Sequence, residues 1–468
     1  MDPAANEWPG EGAIHPTPGT VPRVLDATTW DEPASRATRG WRASVPAWLE
    51  RWHRESLWLS VGVSVVAGAA DAVHLGDRLH YADEYQYVDI AANLARHARF
   101  SLDGVHPTAY RAPGWPLLLA PIRFLGGGIV AYRLVNVALF ALAVVLGWWL
   151  AREMGGKAVA ALAAPMLALY PIAVYTEGTL YPETLGSVLV LAGIAAGVRA
   201  RAAPGPLSWW AVGSGAAFGY LILTIPNAWL PLAAVLVWLA LGRRRLWRTA
   251  CCVLLVAVAV VSVWVVRNAI TFHQFIPVTD ASGYDLLLTD SEHAAVRSAT
   301  NTDISLYTAA AADQGITSET ALQSFYRSEA VDWIRSHPGR ALQLYGERVA
   351  NYFAPYDELA TTSQQSLVQE VGGIFCYLPL LVLLAVRLVR WRSDPPGSLE
   401  CLLIWIYLLE ALVAAVFQTR IRYRVPFDDL LILVAASSLV SLVVGRPRGR
   451  HSVGRAHDDA PVPADSPS

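Results

Sequence analysis

Charge is scarce in this 468-residue chain: Asp, Glu, Lys and Arg make up 16% of it, against 54% hydrophobic residues and a mean hydropathy of +0.37. A soluble globular chain carries about a quarter charged residues, so this composition excludes a string of water-soluble domains. Lysine is nearly missing. Lys157 is the single one among 36 basic residues, which reads as codon bias rather than function. With a net charge of −2 and a pI near 6.6, nothing suggests a nucleic-acid partner. The four cysteines, Cys251, Cys252, Cys376 and Cys401, all lie in apolar runs, so neither a disulfide framework nor a metal-ligand spacing is present. No internal repeat of fixed period is visible, which weakens an inverted-repeat transporter. Residues 1–56 lack an apolar core long enough for a signal peptide.

What the chain does have is long apolar runs. They fall near 57–74, 128–151, 157–175, 180–199, 208–225, 227–242, 247–267, 371–391, 399–418 and 426–445, which predicts an all-α polytopic membrane protein of about ten transmembrane helices. The Pro-broken run at 113–125 is too short to cross and is expected to lie at the interface or to dip in from one side. Residues 1–56 read as a disordered cytoplasmic tail with an amphipathic patch around Trp41–Trp58, and 446–468 as a second tail. Between them lie an N-terminal transmembrane region, 57–267, and a C-terminal one, 371–445.

Orientation follows from the basic residues of short loops. Arg152 with Lys157, Arg199 with Arg201, Arg243–Arg245 with Arg248, and Arg387, Arg390 and Arg392 occupy alternate connections, as does the cluster Arg446, Arg448 and Arg450. Both termini are therefore expected in the cytoplasm, with 75–127 and 268–370 outside. The second outer segment has thirteen acidic residues against five arginines, which suits a water-facing part. Within it, Leu322, Phe325, Tyr326, Ala330, Trp333 and Ile334 have the spacing of an amphipathic helix. The predicted span centres read as nearly free of charge, with ionisable residues gathered at the outer ends.

Four outer stretches could carry chemistry. His80–Asp89 opens the first outer loop with Asp83 and Glu84 among Tyr85 and Tyr87. Such carboxylates could take a proton from an acceptor hydroxyl, or bind a divalent cation, or simply favour a helix N-terminus. The loop closes on Tyr110-Arg111-Ala112-Pro113-Gly114-Trp115-Pro116, a fixed turn that puts Arg111 at headgroup level. There it is either a snorkelling arginine or a phosphate ligand. Glu177 and Glu183 sit at the outer ends of consecutive spans, where a charge is costly without a partner or a wet cavity. Finally Arg420, Arg422 and Arg424, with Tyr423, crowd a short outer loop against the bias that every other short loop obeys. A guanidinium fork suits a phosphate, whether of a specific ligand or of anionic lipid in general. If this loop is extended, Arg422 and Arg424 face the same way.

Taken in order, these pieces resemble the membrane glycosyltransferases of the C-type fold, in particular the family-39-like bacterial branch near protein O-mannosyltransferases and lipid A aminoarabinose transferases. The matching residues are Asp83-Glu84 with Tyr87 and Ala91–Leu94, then Tyr110–Pro116, Glu183, Arg267-Asn268, Gly283-Tyr284 and Arg422–Phe427. The resemblance spans roughly residues 55–445. It implies a multi-pass protein of the bacterial cytoplasmic membrane with its active site on the outer side. The implied reaction moves a sugar from a polyprenyl phosphate to a protein, lipid or glycan acceptor, with inversion. Asp83 would be the general base or position the acceptor, with Glu84 assisting. Arg111, Arg420, Arg422 and Arg424 would hold the lipid phosphate. No organic cofactor is implied, and a divalent cation is left open. The alternative from another class is a polyprenyl-lipid flippase or transporter, which would use the same arginines without needing Asp83.

Overall fold

The computed structural model describes residues 47–242, 246–297, 302–357 and 367–444. Of the predicted tails 1–56 and 446–468, residues 1–46 and all of the second lie outside them, as does the Arg243–Arg245 cluster, while 47–56 are described and form α1 and the start of α2. Every regular element among the described residues is an α-helix. The chain starts with α1 (Ala47–Arg51) and α2 (His53–Leu75), then crosses the first outer loop through α3 (Ala82–His97) and the short α4 (Gly114–Phe124). The bundle continues with α5 (Ile129–Gly155), α6 (Lys157–Ala168), α7 (Pro171–Gly178), α8 (Glu183–Ala202), α9 (Trp209–Thr224), α10 (Leu230–Ala240) and α11 (Leu246–Phe272). The second outer segment holds α12 (Ser282–Thr289), α13 (Ser305–Asp313), α14 (Glu319–Ser336) and α15 (Pro338–Tyr352). The chain then returns through α16 (Leu367–Val389), α17 (Ser398–Ala414) and α18 (Ile421–Val444).

Each of the ten apolar runs falls on a helix, but not every helix has the length to cross. Six are long and apolar enough: α2, α5, α8, α11, α16 and α18. The pair α6 and α7, bent by 48° at the break before Pro171, makes a seventh if counted as one span. Helices α9, α10 and α17 have 16, 11 and 17 residues, short of the roughly 20 that a hydrocarbon core of about 30 Å asks for. Their apolar runs are longer than the helices because Ile225–Trp229 and Ala415–Phe417 turn instead of continuing.

Helix α18 is the centre of the bundle. It packs against α5, α6, α8, α16 and α17 and is apolar almost all round, the pattern of a fully surrounded helix. Its N-terminal end is therefore the floor on which a site at that end of the bundle is built. Around it the spans approach closely through small residues. Gly215 and Gly219 of α9 sit four apart against α11, where a Cβ on Gly219 would lie 2.8 Å from the Ala257 carbonyl oxygen.

Of the ionisable residues within the predicted spans, Glu410 of α17 lies mid-run, and Asp428 and Asp429 of α18 lie close to the start of the run 426–445; all three are buried inside the bundle. Arg424 forms an ion pair with Asp428 at 3.0 Å, Tyr170 donates to Asp428 at 2.7 Å, and the Tyr377 and Tyr407 hydroxyls are 2.6 Å apart. These carboxylates escape notice in the sequence because each is embedded in aliphatic residues that dominate the local hydropathy.

Candidate active site

The site forms where α3, the turn before α4, the start of α8 and the start of α18 meet. Asp83 lies in the first turn of α3. Its Oδ2 receives the Arg422 Nη1 donor at 2.8 Å, and its Oδ1 is bound by Arg111 Nη2. Arg111 also donates from Nε to Gln86 at 2.6 Å and lies over the rings of Tyr87 and Tyr110, 5.5 and 5.0 Å from their centroids. Arg422 stacks over Tyr181 at 4.4 Å and Tyr423 at 4.8 Å, and its Nε is 3.4 Å from Glu183 Oε1. Two guanidiniums thus converge on one carboxylate, backed by aromatic rings that fix the planes of the forks. Burial alone would raise the Asp83 pKa, but Arg422 and Arg111 outweigh it and hold the carboxyl below the ordinary carboxylate range.

Local structure explains why Arg111 is there. Gly114 opens α4 so close to Thr224 that a Cβ on it would overlap that side chain, and Tyr220 donates to the Gly114 carbonyl at 2.7 Å. The Trp115 indole donates to the Leu180 carbonyl at 2.8 Å. On the other side, Glu319 of α14 accepts from the Thr108 hydroxyl at 2.6 Å and the Ala109 amide at 2.7 Å. The Asp280 amide donates to the Ala109 carbonyl at 2.9 Å, and the Thr279 hydroxyl to the Tyr110 carbonyl at 2.6 Å. Residues 108–115 are thereby clamped between the membrane bundle and the second outer segment. Arg267 and Asn268 belong to this clamp rather than to the site. Arg267 donates to the Thr108 carbonyl at 3.0 Å, and Asn268 to the carbonyls of Ile276 and Val278 at 3.0 and 3.2 Å.

Several residues singled out from the sequence stand elsewhere. Glu84 is fully buried, with Oε2 accepting from the His80 and Tyr81 amides at 2.7 and 3.0 Å and Oε1 from the Leu180 amide at 2.9 Å. It caps α3 and ties it to the turn before α8, which leaves it no free oxygen for chemistry. Tyr85 is exposed, its hydroxyl 3.4 Å from the Leu79 carbonyl. Glu177 is buried against α2, where a Cβ on Gly68 would run into its carboxylate. Arg420 is 3.8 Å from Asp357, which also accepts the Ile421 amide at the start of α18.

Arg424 is the clearest departure. The stretch is not extended, because α18 starts at Ile421 and includes Pro426. Residues two apart on a helix differ by about 200°, so Arg422 and Arg424 face opposite ways. Arg424 points into the bundle, donates to the carbonyls of Tyr352 and Ala354 at 2.7 and 2.8 Å, and lies 3.5 Å from the Tyr377 ring centroid.

One residue of the site carries no signal of its own in the sequence. Asp285, in the first turn of α12, is half-buried and shares the field of Arg111, Arg422 and Asp83. Burial pushes its carboxyl up to about 6, against the pull of both arginines. Only the order Gly283-Tyr284-Asp285 after a short extended piece could have drawn attention to it. As for metals, no group of three or more His, Cys, Asp or Glu side chains that could hold an ion occurs among the described residues.

The fold is the one seen in solved archaeal oligosaccharyltransferase structures, and in this chain the loop after α2 and the last helix close on one another at one end of the bundle. The archaeal oligosaccharyltransferase AglB from Archaeoglobus fulgidus, in complex with an inhibitory peptide and a dolichol-phosphate, overlays with a TM-score of 0.53 at 15% identity, over 83% of this chain and 50% of that one. The apo form of the oligosaccharyltransferase from that organism gives 0.52 at 14% identity with the same coverages of 83% and 50%. The chain thus spans about half the length of these proteins. ArnT from Cupriavidus metallidurans, bound to undecaprenyl phosphate, matches at 14% identity with a TM-score of 0.37, over 83% of this chain and 77% of that one. In sequence, the family described as dolichyl-phosphate-mannose-protein mannosyltransferase matches residues 110–266. That stretch includes Arg111, Glu177 and Glu183 and leaves Asp83 and Arg422 outside. Comparison with curated proteins finds no match.

Proposed function

We propose that this chain is a membrane glycosyltransferase that moves a sugar from a polyprenyl-phosphate donor to an acceptor at the outer face of the cytoplasmic membrane, with inversion. The observation that carries the reading is the convergence of Arg111 and Arg422 on Asp83 from segments 311 residues apart, at the outer end of the central helix. The donor phosphate lies against the two guanidiniums. An acceptor hydroxyl attacks the anomeric carbon from the opposite face, the carbon–oxygen bond to phosphate breaks, and its electron pair leaves with the phosphate. The arginines meet the charge that grows on the departing group, so no strong acid is needed. Asp83 holds the two forks in register and stands on the acceptor side as base or positioning group. The dolichol-phosphate in the AglB complex supports a lipid phosphate as the class of ligand for this fold.

A second reading, a non-catalytic polyprenyl-lipid flippase or transporter, draws on Glu410, Asp428 and Asp429, since buried ionisable groups inside spans often mark a transport path. One experiment separates the two: the purified protein in detergent, where there is no bilayer to cross, is incubated with a lipid extract carrying polyprenyl-linked sugars and with a cell-envelope extract as acceptor, and the products are read by mass spectrometry. Consumption of one polyprenyl-linked sugar with release of polyprenyl phosphate supports transfer. No consumption by a protein that binds the lipid-linked sugar would remove the glycosyltransferase reading.

A further inference from the structure

Asp83 makes an awkward base. Both of its oxygens are engaged by guanidiniums, and its carboxyl is held in the ionised form well into acid. A base works best when its affinity for protons is near the operating pH, so a carboxylate stabilised by two cations has little tendency to take one. The opposite conditions hold across the cleft at Asp285. On α12, Gly283 and Leu287 are buried one turn apart, and Gly283 is pressed so tightly against the Gln323 main chain that a Cβ would overlap it. The Tyr284 amide is fixed by the Gln323 side chain at 2.9 Å. Asp285 lies about 200° around the helix from both Gly283 and Leu287, so it faces away from α14. The tethers from Thr279 and Asp280 to the main chain of Tyr110 and Ala109 hold that face over the loop that carries Arg111. No protein hydrogen bond to the Asp285 carboxylate is present among the described residues, and it stays partly accessible.

We propose that Asp285 is the group that takes the proton of the acceptor hydroxyl, while Asp83 acts as the positioning residue that holds Arg111 and Arg422 on the donor phosphate. This rests on the glycosyltransferase reading above. In the step, the acceptor oxygen forms its bond to the anomeric carbon as the carbon–oxygen bond to phosphate breaks. The hydroxyl proton passes to an Asp285 carboxylate oxygen, and the bonding pair leaves with the phosphate. Water later removes the proton. The groups whose charge is felt at Asp285, or that feel its charge, are Arg111 and Tyr110 from the loop before α4, Asp83 from α3, Arg422 and Tyr423 from α18, and its own neighbour Tyr284. The arginines stay charged and the tyrosines stay neutral through the neutral range, so a titration near 6 belongs to Asp285.

The test uses the full chain in membrane vesicles from cells that make their own lipid-linked sugar, following consumption of that sugar by mass spectrometry from pH 5 to 8. Binding of undecaprenyl phosphate to the purified protein in nanodiscs is measured in parallel. Parent kcat/KM should fall as the pH drops through about 6, because the base must be ionised. Asp285→Asn should lose about a hundredfold or more in turnover, as expected for removal of a general base, and bind undecaprenyl phosphate as the parent does. Asp83→Asn should weaken that binding and keep the acid limb in its residual rate. An active parent with a flat acid limb, or an Asp285→Asn variant within threefold of the parent, overturns the assignment and leaves the glycosyltransferase reading in place. A parent that consumes no lipid-linked sugar overturns both.

Discussion

Helix α18 carries two arginines two residues apart, and each meets an aspartate and tyrosines, yet the two surroundings differ in kind. Around Arg422 the partners come from α3, from the stretch Tyr181–Glu183 and from the neighbouring Tyr423; its side chain keeps 17% of its surface accessible, and Asp83 opposite keeps 23%. Around Arg424 the partner Asp428 is one turn along the same helix, the accessible fractions are 1% and 0%, and two main-chain carbonyls complete the shell. The first pair is open to a competing anion. The second is closed, and its oxygen acceptors are supplied by the fold. Identical chemistry thus leaves one pair accessible and makes the other a helix anchor one step deeper.

The sharpest way to break this contrast is Arg424→Ala. Removing one partner of a buried ion pair costs about 3–5 kcal/mol, so the variant should lose most of its folded yield and thermal stability in detergent. A stable, well-expressed variant that failed only in turnover would move Arg424 into the site. Asp83→Asn should behave the opposite way: normal yield, with donor use weakened by about 2–3 kcal/mol, as expected when charge-assisted hydrogen bonds to Arg111 and Arg422 are lost. Asp89→Asn, two turns along α3 and exposed, serves as its control and should stay within about threefold. Next comes Arg422→Lys, which keeps the charge but loses the planar fork. It should weaken donor use by about 1.5–3 kcal/mol, the range for a hydrogen bond to a charged group, read as the donor concentration needed for half-maximal rate. Parent-like turnover would mean that the cluster serves headgroups in general. The smallest change is Glu84→Gln, which puts an amide nitrogen among backbone donors. About 1–2 kcal/mol of stability should be lost, with turnover per folded molecule nearly unchanged. A dead but fully folded Glu84→Gln would transfer the acidic role by one residue.

The helices and the residues around Arg422 were legible in the sequence; the contrast with Arg424 was not. The apolar runs mark the helices, and the pairing of an outer carboxylate with outer arginines follows from where charge is tolerated in a membrane protein. Asp83, Arg111, Arg422 and Glu183 do gather in one place, across as many as 339 residues of sequence. Other features depend on information that no local pattern holds. Whether Arg422 and Arg424 share a face depends on whether the helix starts before or after Pro426, and the Asp357 carboxylate that receives the Ile421 amide decides it from 64 residues away. Glu84 and Asp83 are chemically alike neighbours. Only the nearby Leu180 amide tells the cap from the ligand of arginines. Asp285 has no distinguishing neighbours in sequence, and it reaches the cleft through tethers to residues some 170 positions earlier.

The 339-residue gap between Asp83 and Arg422 also sets a clock. A ribosome adds about 5–20 residues per second, so Asp83 and Arg111 wait roughly 20–70 s at the membrane surface for their last partner. By then about nine-tenths of the polypeptide, residues 1–421 of 468, has been made with the Asp83 carboxylate still short of one guanidinium. Glu319 fastens the loop at Thr108 and Ala109 earlier, once α14 is in place, so Arg111 is anchored before the last partner arrives. Any stall in translation between α14 and α18 leaves a chain in which Asp83 is met by Arg111 alone.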